Sequence, residues 1–245
     1  AVQKKPPAPH GPKICNQCFT SNLTKKPRKK TRRNFEDILD FLSAMGTTVI
    51  GGGETGTSCQ GLPVPVFENK GMLKDYTAWR DFTSKLNALG KIAHERGFKL
   101  AFHHHMGTVV QSLEETIRML DQTDPDYIWL NYDCGHFYFA GEDPVAALKK
   151  FISRVAHVHV KDIRPAVLQR VHDEKWSFLQ AVKNGVFTVP GDPEGCIDFP
   201  AIFHILDKHD YRGWIVVEAE QDPAKANPFE YAKMARQYIR EQTGL

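Results

Sequence analysis

At 245 residues, 41% of them hydrophobic and 25% charged, the chain has the composition of a globular protein with room for a sizeable core. A formal net charge of +3 is too small to imply an acidic partner, and no apolar run is long enough to span a bilayer. The polar, Pro-rich start carries no secretory pattern, and five cysteines (15, 18, 59, 134 and 196) are an odd, sparse set. A cytoplasmic, reducing location without membrane partners is therefore expected.

Residues 1–12 read as an irregular segment, and residues 13–245 as one domain. A strand is expected at about Lys13–Thr20, and Cys15 and Cys18 within it are read as two ordinary thiols, because no second C-x-x-C completes a zinc site. Thr24–Arg33 carries seven basic residues in ten, but no aromatic residue is interleaved and an acidic helix follows. It reads as a solvated loop and helix start, not as a nucleic-acid contact. Helices at about 31–45, 74–96, 110–122, 143–154, 198–208 and 227–242 then alternate with strands at Thr47–Gly53, Lys99–His105, Tyr127–Asp133, Val155–Asp162 and Gly213–Glu220. Alternation of 3.6-residue and two-residue periodicity predicts parallel βαβ units.

All six strands carry polar residues at their ends, which favours a TIM (β/α)8-type barrel over a doubly wound sheet with one switch point. Six strands leave two βα units of such a barrel unread, on the N-terminal side. Four successive strands bear groups of metal-ligand character: His103 and His105 on one face of the first, then Asp133 with His136, His159, and Glu218 with Glu220. Imidazole and carboxylate without thiolate suit Mn²⁺, Co²⁺, Fe²⁺ or Zn²⁺ better than Ca²⁺. In VAHVHVKD, His157, His159 and Lys161 share a face, where an ammonium can polarise or protonate an oxygen.

The stretches LAFHHHMGTVVQS, NYDCGHFYFAGEDP, VAHVHVKDIRPAVL, GVFTVPGD and GWIVVEAEQDPAKANPFEYA resemble the inosose dehydratases of inositol catabolism, a group within the xylose-isomerase-like barrels. The resemblance runs from about Lys13 to the C-terminus. It implies a divalent metal, Mn²⁺ or Co²⁺, on Asp133, His159 and Glu218, with His103 standing where the superfamily carries Glu; Glu54 is the alternative fourth ligand. It also implies a cyclic polyol ketone, scyllo-inosose, as substrate, loss of water to a trihydroxycyclohexane-1,2-dione, and glutathione as a further cofactor.

Such a reaction needs a base for the proton α to the ketone and an acid for the departing β-hydroxyl. Glu54 and Glu220 are the candidate bases, and Lys161 and His136 the candidate acids or oxyanion partners. His105, Asn16, Gln60, Gln221 and Lys225 are expected to meet substrate hydroxyls. A homo-oligomer is compatible with this reading. The alternatives are a ketose isomerase or epimerase on the same barrel, and a shortened chain that binds metal or polyol without turnover.

Overall fold

Helix and strand alternate along the chain because apolar spacing switches between the two periods. The computed structural model describes residues 13–25 and 29–244. The expected irregular segment 1–12, and residues 26–28 of the basic run, lie outside the described residues.

Strand β1 (Cys18–Ser21) leads to α1 (Lys29–Ala44), β2 (Val49–Glu54), α2 (Tyr76–Glu95), β3 (Lys99–His103), α3 (Leu113–Asp121) and β4 (Ile128–Asp133). A short α4 (Cys134–Phe139) and α5 (Pro144–Phe151) precede β5 (Val155–Val160). An excursion follows: β6 (Asp162–Ile163), α6 (Pro165–Asp173), α7 (Phe178–Lys183) and β7 (Phe187–Thr188). Helix α8 (Phe199–Lys208), β8 (Ile215–Val217) and α9 (Pro228–Thr243) complete the chain.

Six strands form one all-parallel sheet in the order β1-β2-β3-β4-β5-β8, while β6 and β7 pair antiparallel beside it. This is the sheet of a parallel α/β barrel. It is strongly curled: β5 approaches β2 and β3, to which it is not hydrogen-bonded. Leu100, Phe102, Ile128, Leu130, Tyr132, Val158 and Val160 are buried on one face and Ala101, His103, Asn131, Asp133 and His157 on the other, so β3 to β5 are covered on both faces, as parallel strands require. The cover comes from helices with one apolar stripe each. Phe35, Leu39 and Leu42 give α1 an i, i+4, i+7 stripe, and Phe82, Leu86 and Leu89 repeat it on α2. At the sheet's edge, the three residues of β8 are only half-buried.

Glycine sets the spacing of β2. A Cβ on Gly51 would meet the Asn16 amide at 2.7 Å, and one on Gly52 would meet Leu100 Cδ1 at 2.9 Å. Helix starts are capped by the chain itself: Asp75, Ser112, Asp143, Ser177, Asp198 and Asn227 each accept a backbone N–H at the head of their helix. Arg164 holds the excursion down, donating to the Gly185 carbonyl (2.9 Å), Thr188 Oγ1 (3.1 Å) and Asp192 Oδ2 (2.5 Å).

Three corrections to the expected elements bear on the site. The first strand starts at Cys18, so Asn16 precedes it and lies at the opposite end of the sheet from the strand termini. The expected strand at 213–220 stops at Val217, which frees Glu218 and Glu220 as loop residues. Helices α4, α6 and α7 and the β6–β7 pair stand where no element was predicted. All five cysteines are free thiols. No helix among the described residues is long and apolar enough to cross a membrane.

Candidate active site

The carboxyl ends of β3, β4, β5 and β8 lie side by side because the strands are parallel neighbours in that order. Strand pairing sets His103 opposite Asn131, Asp133 opposite His159, and His159 opposite Val216, two residues before Glu218. Period-two alternation keeps His103 and His105 on the site side and sends His104 to the other. His104 is fully buried there, stacked on Phe137 with ring centroids 3.7 Å apart. Burial and the neighbouring His103 hold it neutral, well below the usual imidazole range.

Asp133 is the pivot. It ends β4 and caps α4, its Oδ1 accepting the His136 backbone N–H at 3.0 Å. That fixes the carboxylate and turns Oδ2 toward His103 Nε2 (3.2 Å), His159 Nδ1 (3.4 Å) and Lys161 Nζ (3.7 Å). Glu218 Oε2 closes the ring, 3.0 Å from His159 Nδ1 and 2.9 Å from Lys161 Nζ. Burial alone would raise the Asp133 carboxyl, but Lys161, His136 and hydrogen bonds from His103 and His159 hold it well below the usual carboxylate range. Glu218 is likewise ionised against its burial, by Lys161 and His159. Burial disfavours a charged His159, but hydrogen bonds to Asp133 and Glu218 outweigh it and raise the ring to about 9.

A second group adjoins the first. The rings of His105 and His136 lie 3.7 Å apart between centroids, and Glu220 approaches both, at 3.9 Å and 3.6 Å. Burial, with His103 and Lys161 nearby, lowers His105 to about 3. His136 is pushed down by burial and by His105 and Lys161. Glu220 sits at φ +43°, a left-handed conformation that is costly for a residue with a Cβ. Its Oε2 accepts from Lys161 Nζ at 2.5 Å, and burial raises its carboxyl above the ordinary value.

Lys161 is completely buried and reaches every acidic group of the site. Its stem passes over Gly135, where a Cβ would lie 2.7 to 3.0 Å from three lysine carbons. Its ammonium lies 4.5 Å from the Phe187 ring centroid.

Of the expected site residues, nine are gathered here. His103, Asp133, His159, Glu218, His136, Lys161, Glu220 and His105 form the cluster. Gln60 joins through its amide against His105 Nδ1 and the Met106 carbonyl (3.2 Å). Gln221 follows Glu220 in sequence, with a buried, unpartnered Nε2. Three are placed elsewhere. Glu54 is buried under four donors: Ser21 Oγ (2.8 Å), Leu23 N (2.6 Å), Thr24 Oγ1 (2.8 Å) and Gly56 N (2.7 Å). Asn16 accepts from Gly51 N, and Lys225 Nζ donates to the Lys183 carbonyl. Asn131, whose side-chain amide lies 3.3 Å from His159 Nε2, was missed, although its alternation with Asp133 on one strand points to it.

The whole span 10–242 matches the family model described as the xylose isomerase-like TIM barrel. The chain is 48% identical over 233 residues to the inosose dehydratase of Clostridium beijerinckii, covering 95% of this chain and 77% of that protein. It is 49% identical over 245 residues to that of Geobacillus thermodenitrificans, covering 100% and 81%. The chain belongs to the inosose dehydratase family. Two solved structures share its fold at low identity. One is a probable 3-DHS dehydratase from Bacillus anthracis (TM-score 0.70, 15% identity, 94% of this chain and 76% of that one). The other is the IolI protein with a bound zinc atom (TM-score 0.67, 16% identity, 94% and 76%).

As an inosose dehydratase family member the chain is a hydro-lyase, and its donor chemistry fits a divalent metal. His103, Asp133, His136 and Glu218 offer ligand atoms within 4.8 Å of one another, and His159 Nδ1 lies between the same two carboxylates. Buried imidazoles and ionised carboxylates with no thiolate among them suit a borderline first-row ion.

Proposed function

We propose that this dehydratase acts on an inosose, 2-keto-myo-inositol, removing water to give a trihydroxycyclohexane-1,2-dione, with a divalent metal held by His103, Asp133, His159 and Glu218. The observation that carries the reading is the convergence of four donors from four neighbouring strand ends, in a chain about half identical to proteins of that name. Mn²⁺ or Co²⁺ is the metal that the family resemblance implies, and the imidazole–carboxylate set accepts either.

The reaction removes the proton α to the ketone and then the β-hydroxyl, so carbon keeps the electron pair of the broken C–H bond until the C–O bond breaks. A bound divalent ion supplies Lewis-acid stabilisation of the negative charge that develops on the ketone oxygen. The remaining work falls to the second group of residues. Glu220 is the base: its carboxyl is raised, and it is the carboxylate that faces both His105 and His136. Glu54, with its oxygens occupied by four donors, does not compete. Lys161 carries the proton for the departing hydroxyl and adds a fixed positive charge, as oxyanion sites require. His105, oriented by Gln60, and Gln221 bind ring hydroxyls.

The test is elemental analysis together with an ultraviolet assay of dione formation from scyllo-inosose, with a ketohexose run in parallel. Metal-dependent dione formation is expected. Asp133→Asn and His159→Ala should lose metal and lower kcat/KM by at least about 100-fold while remaining folded. Retained metal and turnover in either variant would sink the ligand assignment, and epimerised ketohexose without dione would sink the substrate.

A further inference from the structure

His105, His136 and Glu220 form a set of three donors whose atoms all lie within 4.8 Å of one another, which is the spacing of a cation site. This set shares no member with the four strand-end donors His103, Asp133, His159 and Glu218, although His136 also comes within 4.8 Å of His103, Asp133 and Glu218. A lysine already reaches two of the three. Lys161 Nζ lies 3.0 Å from His136 Nε2 and 2.5 Å from Glu220 Oε2, and it extends to Glu218 at 2.9 Å.

An ammonium only donates, so His136 Nε2 accepts from it and its lone pair is taken. The ring proton then sits on Nδ1, which is buried without a partner. The Nε2 lone pair is therefore the one contact the fold provides for this ring, and it is directed at a cation, the lysine ammonium.

We propose that Lys161 stands in the place of a second divalent cation: His105, His136 and Glu220 are a metal-binding set that the lysine ammonium keeps closed, so the site holds one exchangeable metal where its donors could hold two. The proposal rests on the reading of His103, Asp133, His159 and Glu218 as the first centre.

Three features hold the lysine there. Its stem is threaded over Gly135, where any side chain would collide with it. Its head lies against the face of Phe187. The backbone on either side is pinned as well, since Lys161 N donates to Cys134 Sγ at 3.3 Å and Cys134 Sγ donates to the Lys161 carbonyl at 3.2 Å. A fixed organic cation supplies one positive charge and a transferable proton, where a second metal would supply two charges and no proton. The arrangement therefore biases the site toward protonating a leaving group over polarising a second oxygen.

The chemical consequence is direct. Removing the ammonium leaves Glu218, Glu220 and Asp133 without their shared counter-charge, a costly state for buried carboxylates unless a cation enters. Lys161→Met keeps the length and apolar stem and removes the charge. Mn²⁺ titration followed by desalting and metal analysis should find one equivalent in the unaltered chain and two in Lys161→Met. In the variant the electron paramagnetic resonance spectrum should change from an isolated Mn²⁺ pattern to that of an exchange-coupled pair. Adding His105→Ala to Lys161→Met should return the count to one.

One equivalent in a folded Lys161→Met chain overturns the proposal and leaves the first centre intact. Two equivalents in the unaltered chain, which can be measured even where the variant does not fold, overturn it equally, because the lysine then closes nothing. No equivalent in the unaltered chain overturns the first centre and this proposal with it.

Discussion

Asp133 divides its two oxygens between architecture and chemistry. Oδ1 caps α4 and Oδ2 faces two imidazoles and an ammonium. The two roles separate by substitution. An Asn at this position can cap as well as Asp, whereas Ala cannot, at a cost of about 1 kcal/mol. Asp133→Asn and Asp133→Ala should both lose metal, but the Ala variant should unfold at lower denaturant concentration by that amount, as read from urea curves. Equal stabilities would show that the cap contributes nothing. His103, Asp133, His159 and Glu218 were legible as a set because each is a polar residue closing an apolar run. Glu54 met the same criterion and misled. Ser21 at the end of β1, Leu23 and Thr24 just beyond it, and Gly56 consume its oxygens, and nothing in the spacing of β2 announces those contacts. Lys161 was legible as a polar residue in register with His157 and His159, but not its complete burial, which follows from Gly135 and Phe187, remote from it in sequence.

Among the elements, those with long, regular apolar stripes were read to within a few residues, and the failures share a cause. Helix α4 is six residues of cysteine, glycine, histidine and aromatics, and it forms because Asp133 caps it and the end of β5 offers Cys134 a partner in the His159 carbonyl. The β6–β7 pair is two residues long on each side, too short for any periodicity. Helices α6 and α7 did carry signals, Pro165 at the first turn of one and Ser177 as cap of the other, inside a segment whose polar composition hides them. Caps are worth testing where they are complete. Ser112 and Glu115 form a reciprocal capping box on α3, with Ser112 Oγ accepting Glu115 N (3.2 Å) and Glu115 Oε2 accepting Ser112 N (3.0 Å). Ser112→Ala should lower stability by about 1 kcal/mol without changing the metal content, since α3 supplies no donor to the site. Loss of metal in that variant would mean that α3 positions the end of β3.

Over the whole molecule, burying so many imidazoles sets how the metal-free chain responds to acid. In the unfolded chain the rings titrate near about 6.5. In the fold, burial and nearby positive groups keep His105 and His157 neutral down to about 3. The unfolded state therefore binds more protons between these values, and stability falls as the pH falls through that window. His159 acts in the opposite sense, its contribution being present below about 6.5 and lost as the pH rises through about 9. Chemical-denaturation midpoints of the metal-free chain should accordingly drop between pH 6.5 and 4. An unchanged midpoint would show that these rings are already charged in the fold. The parallel sheet has a further consequence, in time. Glu218 and Glu220 meet His159 and Lys161 across 59 residues of chain, and they do so only after β8, a half-buried edge strand, pairs with β5 on the far side of the excursion. Such distant pairings are slow to form, because the loop must close before the contact rewards it. Nascent β3, β4 and β5 can assemble their histidines and aspartate early, but the carboxylates arrive last. During refolding, tight metal capture should therefore appear with the slowest phase and not with the first rise of helical signal.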